Sequence, residues 1–251
     1  MRRQNLLIAL AVLAVVAVAG LEIGAEVRAG RPGDHPGTVH GDPARFAVKG
    51  VTEDGIAAST AAQLRATNAG LAAAQRWLGQ NTGAAIERDT EVLLTDHAHC
   101  ARHADDPAAA GVTVDGKKIC LFTADSPELD GGGASLRQAA AHEAVHVLQF
   151  QLGCGPSVPT WLLEGMAEDL SWRATLPGAD QRSLEGLAGR RGAGAGGRLD
   201  YGEAMHTALE LDDGHPARLV AFCRAVGDGA PWPAAFGETF DASPARFASR
   251  F

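Results

Sequence analysis

Apolar positions recur along this chain with a helical period in most segments and as short extended runs in a few. Between Asp54 and Gln80, Ile56, Leu64, Leu71, Ala74 and Leu78 return at helix-compatible intervals, and Gly79 and Gly83 supply a stop. This predicts one long helix. Glu91–Thr95 is a short strand candidate, and Gly111–Thr123 reads as a hairpin turning at Asp115-Gly116, with Ile119–Thr123 as its sheet arm. After the Asp130–Gly133 break, Ser135 is placed to cap a helix running to about Leu152, before Gly153, Gly155 and Pro156. Another helix starts near Pro159-Thr160 and continues to about Ala174. Pro177 to Gly197 contains Gly-Arg-Arg-Gly-Ala-Gly-Ala-Gly-Gly and reads as a mobile loop. Tyr201–Leu211 and His215–Val226 are helical stretches, and Phe236, Phe240, Phe247 and Phe251 anchor a final helical closure. The expected class is α+β, mostly helical, with a small mixed sheet packed on the helix that follows Ser135 and a helical C-terminal part.

Composition agrees with a globular domain: 46% of residues are hydrophobic and 21% charged, and abundant Ala favours helix. The N-terminal pattern is different. Arg2 and Arg3 precede an apolar run from Leu6 to Leu21 that Glu22 ends, the build of a secretory signal or of a short membrane anchor. Arg28 to Val51 holds Pro32, Pro36 and Pro43 without an apolar period. The expected organisation is a signal peptide or anchor over 1–27, a linker over 28–50 and one domain over 51–251. The linker is either a tether or an inhibitory pro-segment. Membrane association, where it occurs, is through residues 6–21, and the domain lies outside the cytoplasm. Four cysteines fit an exported chain, and the pairing Cys100–Cys120 with Cys154–Cys223 is expected over reduced thiols. No CxxC spacing supports a cysteine metal site. A net charge of -8 and the lack of a basic stripe argue against a nucleic-acid partner.

The chemistry concentrates in the helix after Ser135. His142-Glu143-Ala144-Val145-His146 places two imidazoles one turn apart on one face, where both reach a single cation, with Glu143 between them. Two ligands leave such a site incomplete. Glu164, eighteen positions after His146 on the next expected helix, supplies a third. Glu168 follows one turn later and is placed to accept from the other ring nitrogen of a liganding histidine, His142 first. Two His and one Glu leave a fourth zinc position open, as in catalytic rather than structural sites. Glu143 is then the base for a water that attacks a carbonyl.

His142-Glu-Ala-Val-His146 followed by Trp161-Leu-Leu-Glu-Gly-Met-Ala-Glu168 resembles the gluzincin zinc metallopeptidases, and among them the bacterial peptidase MA-like domains. The likeness extends loosely from Val51 to Phe251, through Tyr201-Gly-Glu-Ala-Met-His206 and Ala235–Phe240. It implies a zincin-like fold, Zn(2+) held by His142, His146 and Glu164, Glu143 as general base, and a peptide or protein substrate. It also implies that the strand before the zinc helix, Ile119–Thr123, edges the cleft and pairs with extended peptide. No Gly-Ala-Met-Glu-Asn segment precedes the motif, so endopeptidase action is expected over aminopeptidase action. Similar domains carry a Tyr where Tyr201 stands. Tyr201 is either the donor to the oxyanion of the reaction or a packing residue, and His206 is a second candidate for that donor. His97, His99 and His103 read as a solvated loop. The alternative function is a non-catalytic binding module with the same fold, which would have no need of Glu143.

Overall fold

Two apolar faces of a small sheet organise the molecule. The computed structural model describes residues 46–50, 61–96, 100, 109–123, 136–191 and 199–251. The elements are β1 (Phe46–Gly50), α1 (Ala61–Thr82), β2 (Thr90–Thr95), β3 (Gly111–Val114), β4 (Lys118–Phe122), α2 (Leu136–Gln151) and α3 (Thr160–Thr175). They continue with α4 (Gln181–Arg191), α5 (Tyr201–Asp212), α6 (Ala217–Gly227), α7 (Trp232–Phe240) and α8 (Pro244–Ala248). The expected leader over 1–27, the Ser135 cap and the histidines at 97, 99 and 103 lie outside the described residues. Among the described residues no helix is long and apolar enough to cross a membrane.

The sheet order is β1-β2-β4-β3, with β1, β2 and β4 parallel and β3 antiparallel to β4. Val92, Leu94, Ile119 and Leu121 alternate onto the face that joins the main core with α1, α2 and α3. Leu93, Cys120 and Phe122 occupy the opposite face, where Cys100 packs on them and bonds Cys120. The second disulfide, Cys154–Cys223, ties the chain just past α2 to α6. Both pairs are the expected ones. The hairpin turns at Asp115 and Gly116, both at positive φ (50° and 63°), the left-handed pair that matches strand twist.

Three expectations are corrected. Residues 46–50, assigned to the linker, form β1, because Phe46 packs on the main core and the segment pairs with β2 in register from Phe46–Thr90 to Gly50–Leu94. The strand Ile119–Thr123 was expected to edge the cleft. It is internal, since β3 covers its outer side through pairs such as Thr113–Ile119, and among the described residues β3 is the last strand of the sheet. Within the expected loop Pro177–Gly197, residues 181–191 are helical. Asp180 accepts from the Ser183 N–H at 2.8 Å at the start, and Leu184 and Ala188 bury one turn apart against Met205 and Leu209 of α5.

Helix α2 is buried nearly all round, which its run of small residues allows. Its pairing with α3 brings the candidate site residues together. On α3, Gly165 lets the backbone of α5 come close: a Cβ there would stand 2.3 Å from the Ala204 carbonyl oxygen. A charged knot also joins α3 to α5. Arg173 donates to Asp169 (Nε to Oδ1, 2.7 Å) and to Asp212 (Nη2 to Oδ2, 2.8 Å), and both carboxylates are 0% exposed. Two buried acids share one guanidinium, with Gln181 on the same Arg173 nitrogen and Asp213 nearby.

Burial pushes Asp169 up to about 7 against the pull of Arg173, with Asp212 adding to the rise. Asp212 is raised too, chiefly by burial. The folded chain therefore keeps a proton that an unfolded Asp, with a pKa near ~4, has released. Stability from this knot should fall as pH rises from about 4 to about 7 and then level off. Asp169→Asn, which leaves the Arg173–Asp212 pair intact, should flatten that slope. Melting temperatures of the two proteins across this range should diverge with rising pH, and parallel curves would count against the shared proton.

Candidate metal centre

A polar stripe runs along each of α2 and α3. On α2, Gln138, His142, His146 and Gln149 follow at intervals of four, four and three, so they share one face. On α3, Glu164, Glu168, Ser171 and Thr175, at intervals of four, three and four, likewise share one face. The helices meet antiparallel along these stripes. Gln138 donates to Ser171 (2.8 Å) and accepts from Thr175, while at the other end Gln149 donates to the Leu163 carbonyl (2.9 Å). At both ends of this contact the buried polar groups are joined by hydrogen bonds, as burial requires. The two histidines and two glutamates occupy its middle.

His142 Nε2 lies 3.1 Å from Glu164 Oε2 and 3.1 Å from His146 Nε2, and His146 Nε2 lies 3.4 Å from Glu164 Oε2. Zinc bonds of about 2.0–2.1 Å at tetrahedral angles would set such donor atoms about 3.3–3.4 Å apart. The triangle therefore has the size of one face of a zinc tetrahedron. No other group of three metal-ligating side chains was found to converge in this way among the described residues.

The other ring nitrogens fix which lone pairs face inward. His142 Nδ1 is 3.3 Å from Glu168 Oε1, and the other Glu168 oxygen accepts from Trp172 Nε1 at 2.9 Å. His146 Nδ1 is 2.7 Å from Gln149 Oε1, and the bond from Gln149 Nε2 to Leu163 requires that it present its oxygen. Both partners are acceptors at those atoms, so both Nδ1 carry the proton and both Nε2 turn a lone pair to the centre. Two lone pairs and a carboxylate oxygen within 3.4 Å repel one another unless a positive charge sits among them.

Proton affinities register the same demand. Burial disfavours a charged His142, yet Glu164 and Glu168 outweigh it and push the imidazole up to about 10. His146 is raised as well, burial opposing and Glu164 prevailing. For Glu164, burial is overcome by His146 and His142, which hold its carboxyl well below the usual range. A cation bound here replaces protons with metal charge, so binding should release them.

Glu143, the residue between the histidines, is buried, and burial raises its carboxyl despite the opposing charges of His146 and His142. Thr113 of β3 donates to its Oε2 at 2.7 Å. Tyr201 opens α5 and is half-buried, with Asp200 capping the helix by accepting from the Glu203 N–H at 2.9 Å. His206 is exposed, about 140° around the helix from Tyr201, so the two do not address one site. Trp161 packs edge-on to Phe236 and stacks on Phe251.

Sequence reasoning brought together His142, His146, Glu164 and Glu168, and it missed Gln149, Trp172 and Thr113. The first was visible as the third residue after His146 on the same face. Thr113 had no sequence signal, because its contact spans thirty positions. Gln149→Leu and Glu168→Leu should each weaken zinc binding about 10–100-fold by freeing one imidazole to turn. Competition with a chelator would measure this, and unchanged affinity in both would refute the orienting role. Comparisons with protein-family models, with curated proteins and with solved structures found no match for the chain.

Proposed function

We propose that this chain is a zinc-dependent endopeptidase with a zincin-like fold that acts outside the cytoplasm. The observation that carries the reading is the triangle of His142 Nε2, His146 Nε2 and Glu164 Oε2, 3.1, 3.1 and 3.4 Å on its sides, with a buried glutamate between the two histidines. Two imidazoles and one carboxylate are a donor set suited to zinc with a position left open. Two disulfides fit an oxidising compartment.

Zinc held there supplies Lewis acidity, lowering the pKa of a water and polarising a carbonyl. His142, His146 and Glu164 hold it, and Glu168 and Gln149 keep the two rings aimed. Glu143 takes the proton of the attacking water and passes it to the departing amine. Burial raises its proton affinity, the direction that strengthens a base. Among the described residues strand β3 ends the sheet beside Glu143, so its outer edge offers backbone donors and acceptors to an extended peptide. Tyr201 is assigned as the donor to the oxyanion.

A digest of a broad peptide library by the purified chain tests the reading. Internal cleavage should appear with zinc, stop on chelation and return when zinc is restored. Zinc-loaded protein that cleaves nothing, or cleavage indifferent to chelation, would contradict it.

A further inference from the structure

We propose that Thr113 is a positioning residue of this reaction, its hydroxyl holding the Glu143 carboxylate in place beside the two histidines. The inference rests on the peptidase reading for its kinetic consequence and on geometry alone for its structural one. Thr113 sits in the edge strand β3, across the interface from α2. Its Oγ1 lies 2.7 Å from Glu143 Oε2 and 3.0 Å from the Glu143 main-chain oxygen. The same hydroxyl thus meets both ends of one residue, which leaves the side chain between them little freedom.

The other carboxylate oxygen is confined differently. A Cβ on Gly111, two positions before Thr113 and on the same side of the strand, would stand 3.1 Å from Glu143 Oε1 and 2.9 Å from the Cys120 carbonyl oxygen. The strand therefore grips Oε2 by a hydrogen bond, and a side chain at residue 111 would press on Oε1. A glutamate has three rotatable bonds, and a buried one without a partner would seek another. A hydroxyl is also suited to a group that gains and loses a proton. It donates to a carboxylate and accepts from a carboxylic acid, and the main-chain oxygen at 3.0 Å receives its own proton in the second case.

Thr113→Val keeps the branched shape and the strand preference while deleting the hydroxyl, and Thr113→Ser restores it. Crystal structures and kinetics of the full zinc-loaded chain would test the role. In Thr113→Val the Glu143 carboxylate should leave its position or split between several, with His142, His146 and Glu164 unmoved and zinc affinity unchanged. The kcat on a cleaved peptide should fall about 10–100-fold with KM unchanged, since small misplacements of a reacting group cost this much. Thr113→Ser should recover both. Thr113→Ala, read the same way, serves should the valine variant fail to fold.

A Glu143 that keeps its place without the hydroxyl overturns the proposal, as does a serine variant that recovers neither its position nor the rate. So does zinc affinity falling in step with the rate, which would make Thr113 a prop for the whole sheet–helix contact. Should wild-type protein bind zinc and cleave no peptide, the peptidase reading fails, while the crystal comparison still decides what holds Glu143.

Discussion

Glu143→Gln is expected to bind zinc as wild type does and to lose about 10²–10⁴-fold in the rate of peptide cleavage. Glutamine has the same length and keeps an oxygen for the Thr113 hydroxyl, so the β3–α2 contact survives. It cannot take a proton at neutral pH. Removing a buried carboxyl whose charged form burial disfavours also spares the fold the cost of that charge. Unchanged or higher melting temperature, one zinc per chain and a collapsed kcat would together isolate the base. A variant that holds zinc and turns over at the wild-type rate would remove Glu143 from the mechanism. It would leave the non-catalytic binding module as the better account of the fold.

The second large effect is on the metal itself. Glu164→Ala should weaken zinc binding more than roughly 100-fold, beyond what loss of an orienting partner costs. Glu164 contributes the only carboxylate oxygen of the triangle, and its charge raises the proton affinity of both histidines. Alanine is the best helix former, so α3 should persist and carry Glu168 and Trp172 in place. Glu164→His, which exchanges one zinc donor for another, should recover part of the affinity. Isothermal titration in a competing chelator gives both numbers. Equal affinity in wild type and Glu164→Ala would mean that the third ligand lies elsewhere.

The candidate metal centre was legible in the sequence because its signals are local. Histidines at 142 and 146 share a face by helical geometry, and Glu164 and Glu168 share one for the same reason, so only the pairing of two adjacent helices remained to be found. Gln138 and Gln149 extend that face, and Ser171 and Thr175 answer Gln138 from α3. Taken as one continuous stripe on each helix, these positions encode the antiparallel pairing of α2 with α3. The disulfides were legible for a similar reason, since few pairings of four cysteines were available.

Other features depend on contacts that no local pattern encodes. The segment from Phe46 to Gly50 is a strand because β2 offers it a partner and the core takes Phe46, in a stretch whose prolines point to a linker. Strand β3 was legible as the first arm of the hairpin, but its hold on Glu143 was not, because that contact spans thirty positions. Helix α4 lies in a glycine- and arginine-rich stretch, and its two buried residues, Leu184 and Ala188, find their partners only on α5. Asp169 and Asp212 look like surface acids until α3 and α5 close on Arg173. For Phe46–Gly50 and for α4, tertiary packing overrode the composition of the segment.

Zinc K-edge X-ray absorption on the full chain tests the central claim most directly. With one equivalent of zinc bound, the account predicts nitrogen and oxygen donors only, at about 2.0–2.2 Å, with the outer scattering of two imidazoles. Alanine at 146 should remove one of those imidazoles. Sulfur scattering near about 2.3 Å, or a spectrum that His146→Ala leaves unchanged, would contradict it.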